Sequence, residues 1–304
     1  MSDEVLEELA IGAVTVLFGA SHGKYPHGNS ILVRGARESL MIDPSLGVVA
    51  RKRSLPRVDR VWNSHCHEDH IAGNHLFPDA PWELHEADLL GLHSFAGFLR
   101  IYGYDDSVLG AGWEKTLAER FYYTANPRAT GFRDGHVLEL GGGVHVRVIH
   151  TPGHTRGHCA FHVQPDDVLY LGDIDLSSFG PYYGDAWSDL ADFERSLRLV
   201  RGIQAKHYAT FHHIGVVDRA TFLARLDKFE AVIASREQRL HAYLSEAPRT
   251  LDEIVRHRFV YRPSDPVSFA DPVERRSMEQ HLARLIATGR ARQISPGRFE
   301  GAVV

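Results

Sequence analysis

Residues 64–70, SHCHEDH, constrain this chain more than any other stretch. His65, His67, Asp69 and His70 crowd into one short loop directly behind residues 57–63 (RVDRVWN), an apolar run that reads as a buried strand. A loop leaving a strand can fan its side chains toward a shared centre. Imidazole with carboxylate is a donor set suited to zinc and similar borderline ions. A lone histidine after a strand is ordinarily a surface group or one satisfied internally, but this density is not, so the loop reads as a metal site. Cys66 alternates with His65 and His67 and is expected to point the other way, into the core.

Further candidates follow the same rule of placement. His154 sits in TPGHTRGH behind the strand-like residues 144–149, and Asp173 ends YLGD behind residues 168–171. His212 and His213 close a short strand read over residues 205–210. Each lies at a strand end, so one pair of packed sheets could deliver all of them to one edge. Other strands are expected at 13–18, 30–33, 39–42 (stopped by Asp43 and Pro44), 137–140 and 159–163, the last making Cys159 a core residue. Residues 88–100 and 186–200 carry helical periodicity. Residues from about 78 to 135 read as an insertion rich in aromatic side chains, Trp82, Tyr102, Tyr104 and Trp113 among them.

Beyond residue 218 the pattern changes. Residues 219–244 are helical in period. Thr250 and Glu253 form a capping-box pair ahead of a short helix, and residues 274–288 give a third helix that Gly289 ends. Residues 290–304 suggest a small β-wing. We therefore divide the chain into residues 1–218 and a C-terminal helical, winged-helix-like subdomain, 219–304.

The 304 residues, 43% hydrophobic, suffice for a full core. A net charge of −5 gives no general pull toward nucleic acid or an anionic membrane, and two cysteines exclude a disulfide scaffold. The acidic start, MSDEVLEELA, lacks a basic and apolar leader, and no apolar run reaches the roughly 18 residues of a membrane span, so a cytoplasmic location is expected.

HCHEDH resembles the HxHxDH signature of the metallo-β-lactamase superfamily, TPGHTRGH its TPGHTxG segment, and YLGD its GD strand end, in order and spacing over roughly residues 12–215. The resemblance implies an α/β fold, an αββα four-layer sandwich with metals at one sheet edge. The C-terminal appendage is similar to that of the β-lactamase-like 2 group. The resemblance further implies that His65, His67 and His154 hold one metal, that Asp69, His70 and either His212 or His213 hold a second, and that Asp173 bridges them. Placement directly after the strand favours His212. Two divalent ions are implied, zinc first, with iron or manganese compatible.

The expected activity is metal-dependent hydrolysis: a metal-activated hydroxide attacks an ester, lactone or thioester, with Asp69 and Asp173 as the catalytic residues, Asp69 orienting the nucleophile. Phe179, Tyr182 and Tyr183 follow the bridging position and are the candidates for a substrate pocket, with Asp175 behind Asp173. His158 reads as structural. One alternative is a metal-dependent ribonuclease or phosphodiesterase, for which Arg284, Arg290, Arg292 and Arg298 would form a basic patch diluted by Asp252, Glu253, Glu274 and Glu279. Another is a non-catalytic metal-binding partner protein. The expected partner is a small-molecule substrate in preference to nucleic acid, which stays open as the alternative, with no membrane, and a homodimer is compatible with the sequence.

Overall fold

The computed structural model describes residues 7–104, 108–265 and 267–302, so the outermost limits of both sequence-derived domains lie outside the described residues. A seven-stranded sheet runs in chain order: β1 (Glu8–Ile11), β2 (Val14–Leu17), β3 (Ser30–Arg34), β4 (Ser39–Ile42), β5 (Arg60–Trp62), β6 (Trp82–His85) and β7 (Thr130–Phe132). It is antiparallel up to β4 and parallel from β4 to β7. The strands β6 and β7 fall inside the stretch read as an insertion, yet they complete this sheet. The inserted part is the helical run between them: α3 (Leu89–His93), α4 (Phe95–Tyr102) and α5 (Val108–Arg120). They follow α1 (Leu46–Ala50) and α2 (Glu68–Ile71). The single helix expected over 88–100 is divided because Ser94 is extended and its hydroxyl accepts from Gly97 N, capping α4 and breaking the run.

The second sheet orders β13-β12-β11-β10-β9-β8. Its strands are β8 (Val137–Gly141), β9 (Val144–His150), β10 (Cys159–Gln164), β11 (Val168–Tyr170), β12 (His207–Ala209) and β13 (Val216–Val217). The period of two divides its side chains between layers. Cys159, Phe161, Val163, Val168, Tyr170 and Ala209 join the core between the sheets. Ala160, Leu169 and Tyr208, on the other face, pack with α6 (Leu190–Gly202) and the first half of α7 (Arg219–Glu246). These are the two inner layers and one outer layer of an αββα sandwich, with the earlier helices on the opposite outer side. The helix read over 186–200 starts later, at Leu190, where Asp189 caps it by accepting from Asp192 N.

At 28 residues α7 is about 42 Å long and serves two cores. Phe222, Leu226, Phe229 and Ile233 belong to the sandwich's outer layer, while Leu240 and Leu244 enter a separate core with Ile254, Met278, Leu282 and Leu285. This C-terminal region contains α8 (Leu251–His257), α9 (Ala270–Ala287) and a small sheet ordered β14-β16-β15, from β14 (Arg249–Thr250), β15 (Ala291–Ser295) and β16 (Arg298–Gly301). The Thr250–Glu253 capping box is present. The third helix begins at Ala270, earlier than its apolar periodicity suggested. Among the described residues no helix is long and apolar enough to cross a membrane.

Candidate metal centre

The C-terminal ends of four strands converge. The loop after β5 carries His65 and His67 and runs into α2, which holds Asp69 and His70; the segments after β9, β11 and β12 carry His154, Asp173 and His212. His65, His67, His154 and Asp173 form one group whose ligand atoms lie within 4.8 Å of one another, and Asp69, His70 and His212 form a second. In the first, His154 Nε2 lies 3.1 Å from His65 Nε2 and 3.0 Å from His67 Nδ1. Asp173 faces both groups: Oδ2 is 3.2 Å from His154 Nε2, while Oδ1 is 3.0 Å from His70 Nε2 and 3.7 Å from His212 Nε2. It stands where a bridging carboxylate would.

Like-natured lone pairs do not gather in a protein interior without a reason. Asp69 Oδ2, His70 Nε2 and Asp173 Oδ1 are buried and make no hydrogen bond, which costs free energy unless a cation occupies the space between them. The donor set fits a pair of divalent ions. The electrostatics point the same way. Burial alone would lower the pKa of His70 and His212, but Asp173, with Asp43 and Asp69 beside His70 and Asp69 beside His212, outweighs it; His70 rises well above its ordinary value and His212 to about 9. Burial would likewise raise Asp173, yet His70 and His212 hold it well below the usual carboxylate range. The pocket favours positive charge. His65 is driven the other way, by burial and by the neighbouring His70 and His67, which keeps its imidazole neutral with a lone pair to offer.

The rings of His70, His212 and His154 are oriented by the bond the other nitrogen makes, and that of His67 by an ion-pair contact. His70 Nδ1 lies 2.8 Å from Asp43 Oδ2, which also accepts from the Ser64 and Tyr170 hydroxyls. His212 Nδ1 donates to the carbonyls of Gly23 and His27. His154 Nδ1 donates to Tyr182 O at 2.9 Å, and His67 Nε2 lies 2.9 Å from Asp185 Oδ2. His158 has its own use: Nδ1 meets Thr151, and Nε2 accepts from the amide N–H of Asp173 at 3.1 Å. Gly172, just before Asp173, has φ +53°, and a Cβ there would come within 2.7 Å of His158 Nε2, so both backbone and neighbour require glycine.

The structure brings His212 to the second group, while His213 is exposed with φ +57°. Of the pocket candidates, Tyr182 stays beside the site, its ring centroid 5.6 Å from that of His154. Tyr183 is buried against the C-terminal subdomain, its hydroxyl 2.8 Å from His281 Nε2, and Phe179 packs at a tilt beside Tyr261 and under Arg236. Asp175 accepts from Ser177 N, and burial pushes its carboxyl up to about 6. Cys66 and Cys159 are buried free thiols, as expected. The arginines expected to form a basic patch are largely committed: Arg284 pairs with Glu194 and Glu237, Arg290 with Glu237, and Arg292 with Glu300.

Four residues of the site escaped the sequence reading. Asp43 looked only like a strand stop, although an acid at the end of a buried strand beside the ligand loop was a usable signal. Asp88 accepts from the Thr155 hydroxyl and Gly157 N, pinning the loop that carries His154. Glu68, buried beside the ligands, accepts from the Tyr25 and Tyr102 hydroxyls. Asp185, the fourth, has no local signal.

Residues 25–213, more than half the chain, match the family model of the metallo-beta-lactamase superfamily. The chain is 29% identical over 227 residues to the acyl-coenzyme A thioesterase MBLAC2 of Bos taurus, covering 62% of this chain and 76% of that one. It is 25% identical over 253 residues to a hydroxyacylglutathione hydrolase of Rhodospirillum rubrum, covering 77% and 84%. In three dimensions it resembles the metallo-beta-lactamase family protein TTHA1429 from Thermus thermophilus, with a TM-score of 0.69 at 23% identity over 95% of this chain and 99% of that one.

Proposed function

The chain belongs to the metallo-beta-lactamase superfamily, and from that membership we propose that it is a binuclear metal-dependent hydrolase of thioesters and related acyl esters. The observation that carries the reading is Asp173, whose two oxygens face two separate groups of buried ligands. The preference for thioesters draws on the relatives, an acyl-coenzyme A thioesterase and a hydroxyacylglutathione hydrolase, whose names both describe acyl groups carried on thiols. We read the ions as zinc, held by His65, His67 and His154 on one side and by Asp69, His70 and His212 on the other, with Asp173 shared.

When bound, such a pair of ions supplies a water of lowered pKa and a Lewis acid for the acyl oxygen. The rest is the work of the chain. Asp69 Oδ2, 3.2 Å from His212 Nε2 and otherwise without a hydrogen bond, is available to orient the attacking water by accepting a hydrogen bond from it. His158 fixes the backbone of Asp173, and Asp43 fixes the ring of His70, so neither ligand must reorganise during turnover. Tyr182, beside His154, lines the approach of substrate. A thiolate leaves readily, since a thiol of ordinary acidity has a pKa of about 8.5, so the reaction places little demand on a general acid.

The test is a hydrolysis screen on purified protein with its metals quantified, across thioesters, lactones, aryl esters and phosphodiesters, alongside Asp173→Ala. Two ions per chain and thioester cleavage lost in the variant support the reading. Fewer than one ion per chain, with no turnover after zinc, iron or manganese is added, sinks it.

A further inference from the structure

The connecting segment 179–185 does two things at once. Toward the metal centre it meets two ligands: Tyr182 O accepts from His154 Nδ1 at 2.9 Å, and Asp185 Oδ2 is in ion-pair contact with His67 Nε2 at 2.9 Å, without the geometry of a hydrogen bond. The Tyr182 hydroxyl donates to Asp185 Oδ1 at 3.0 Å, tying the two partners together. Away from the centre, helices of the C-terminal region grip the same segment. Arg236 on α7, fully buried, donates from Nη1 to Pro181 O at 2.5 Å and from Nη2 to Phe179 O at 2.7 Å. Gln280 on α9 donates to Tyr183 O at 3.0 Å and accepts from Leu190 N at 2.6 Å. The carbonyl that orients His154 therefore lies between carbonyls held by another part of the molecule. Contact is close: Gly180 has φ +79°, and a Cβ there would come within 2.5 Å of Val232 on α7.

The second ligand group is built differently. The ring of His70 is set by Asp43, and that of His212 by the carbonyls of Gly23 and His27, all within the sandwich.

We infer that Arg236 and Gln280 are positioning residues for the His65–His67–His154 metal site, so that the C-terminal subdomain sets the affinity of that site and not of its neighbour. A buried guanidinium is well suited to this: its planar fork holds two carbonyls at a fixed spacing, whereas the donors of an ammonium rotate freely. Loss of a partner that orients a metal ligand typically costs 10–100-fold in metal affinity.

The inference rests on the binuclear reading, and titration of the metal-free full chain with Zn²⁺ separates the two. Wild-type protein that takes up no ion defeats the binuclear reading itself. With two ions bound to wild type, Arg236→Met is expected to weaken one of them by about 10–100-fold. Asp43→Asn is expected to weaken the other, and the double variant to weaken both. Co²⁺ loading provides a spectroscopic signature, with Arg236→Met and Asp43→Asn altering different parts of the visible spectrum. Arg236→Lys is expected to recover part of the lost affinity. Gln280→Met, at a half-buried position and of similar length, is expected to weaken the same ion as Arg236→Met in a chain that folds normally. Wild-type affinity for both ions in Arg236→Met and Gln280→Met, or parallel loss of both ions in each, overturns the inference.

Discussion

Glu274, buried in the C-terminal subdomain, accepts three backbone N–H groups, from Phe259, Val260 and Tyr261, while Asp173 at the sheet edge leaves Oδ1 without a hydrogen bond among histidines. Glu237 resembles Glu274: it is met by His281, Arg284 and Arg290. Asp69 resembles Asp173, with an orphaned Oδ2. Glu274 and Glu237 have their charge answered by the chain, and they order structure. The edge acids have theirs left open toward a common point, and they await something from outside. A count of buried acids would not separate the two kinds; following each lone pair to its partner does.

The largest way to break this contrast is at Asp173. Asp173→Ala should lower kcat/KM by at least about 10³-fold, roughly 4 kcal/mol of transition-state stabilisation, and reduce bound metal measured by atomic absorption. A variant that still carries two ions and turns over normally would make Asp173 a structural acid like Glu274. Next comes Glu274→Gln, which should cost about 2–3 kcal/mol in urea unfolding, because its amide nitrogen confronts a backbone N–H that lost its acceptor. Unchanged stability would remove Glu274 from the structural class.

Asp43→Asn sharpens the contrast from an intermediate position, since Asp43 is satisfied by the chain yet holds a ligand. It should leave the fold intact and weaken one metal by about 10–100-fold. The smallest effect concerns Glu237. The hydrogen bond from His281, then Arg284, draws its carboxyl below the ordinary range despite burial. A depressed folded pKa contributes stability above the unfolded value of about 4.3 and loses it as pH falls through the folded one. Glu237→Gln should therefore cost about 1–2 kcal/mol near neutrality, with the gap to wild type closing below about pH 4. A gap that persists into acid would show that the carboxylate charge is not what matters.

The ligands were legible because chemistry was concentrated: His65, His67, Asp69 and His70 share one loop, and His154, Asp173 and His212 each follow an apolar run. The choice between His212 and His213 needed the backbone, whose turn to positive φ at His213 carries that side chain outward. The strands β6 and β7 were missed because runs of three or four residues carry too little alternation to stand out. Asp185 and Arg236 could not be read at all, since what they do depends on partners far away in sequence. Asp43 lies between these cases: its strand ends in parallel register with the strand before the ligand loop, Ile42 opposite Trp62, and only that adjacency turns a strand stop into a brace for His70.

The shared helix α7 has a consequence for how the molecule comes apart. Cleavage or truncation near residue 218 would not release a finished sandwich, since Phe222, Leu226, Phe229 and Ile233 would leave with the other fragment and uncover an oily stripe on the second sheet. Because one helix runs through both cores, cutting the chain near residue 218 is expected to destabilise the two together, which a single unfolding transition of the intact protein would bear out.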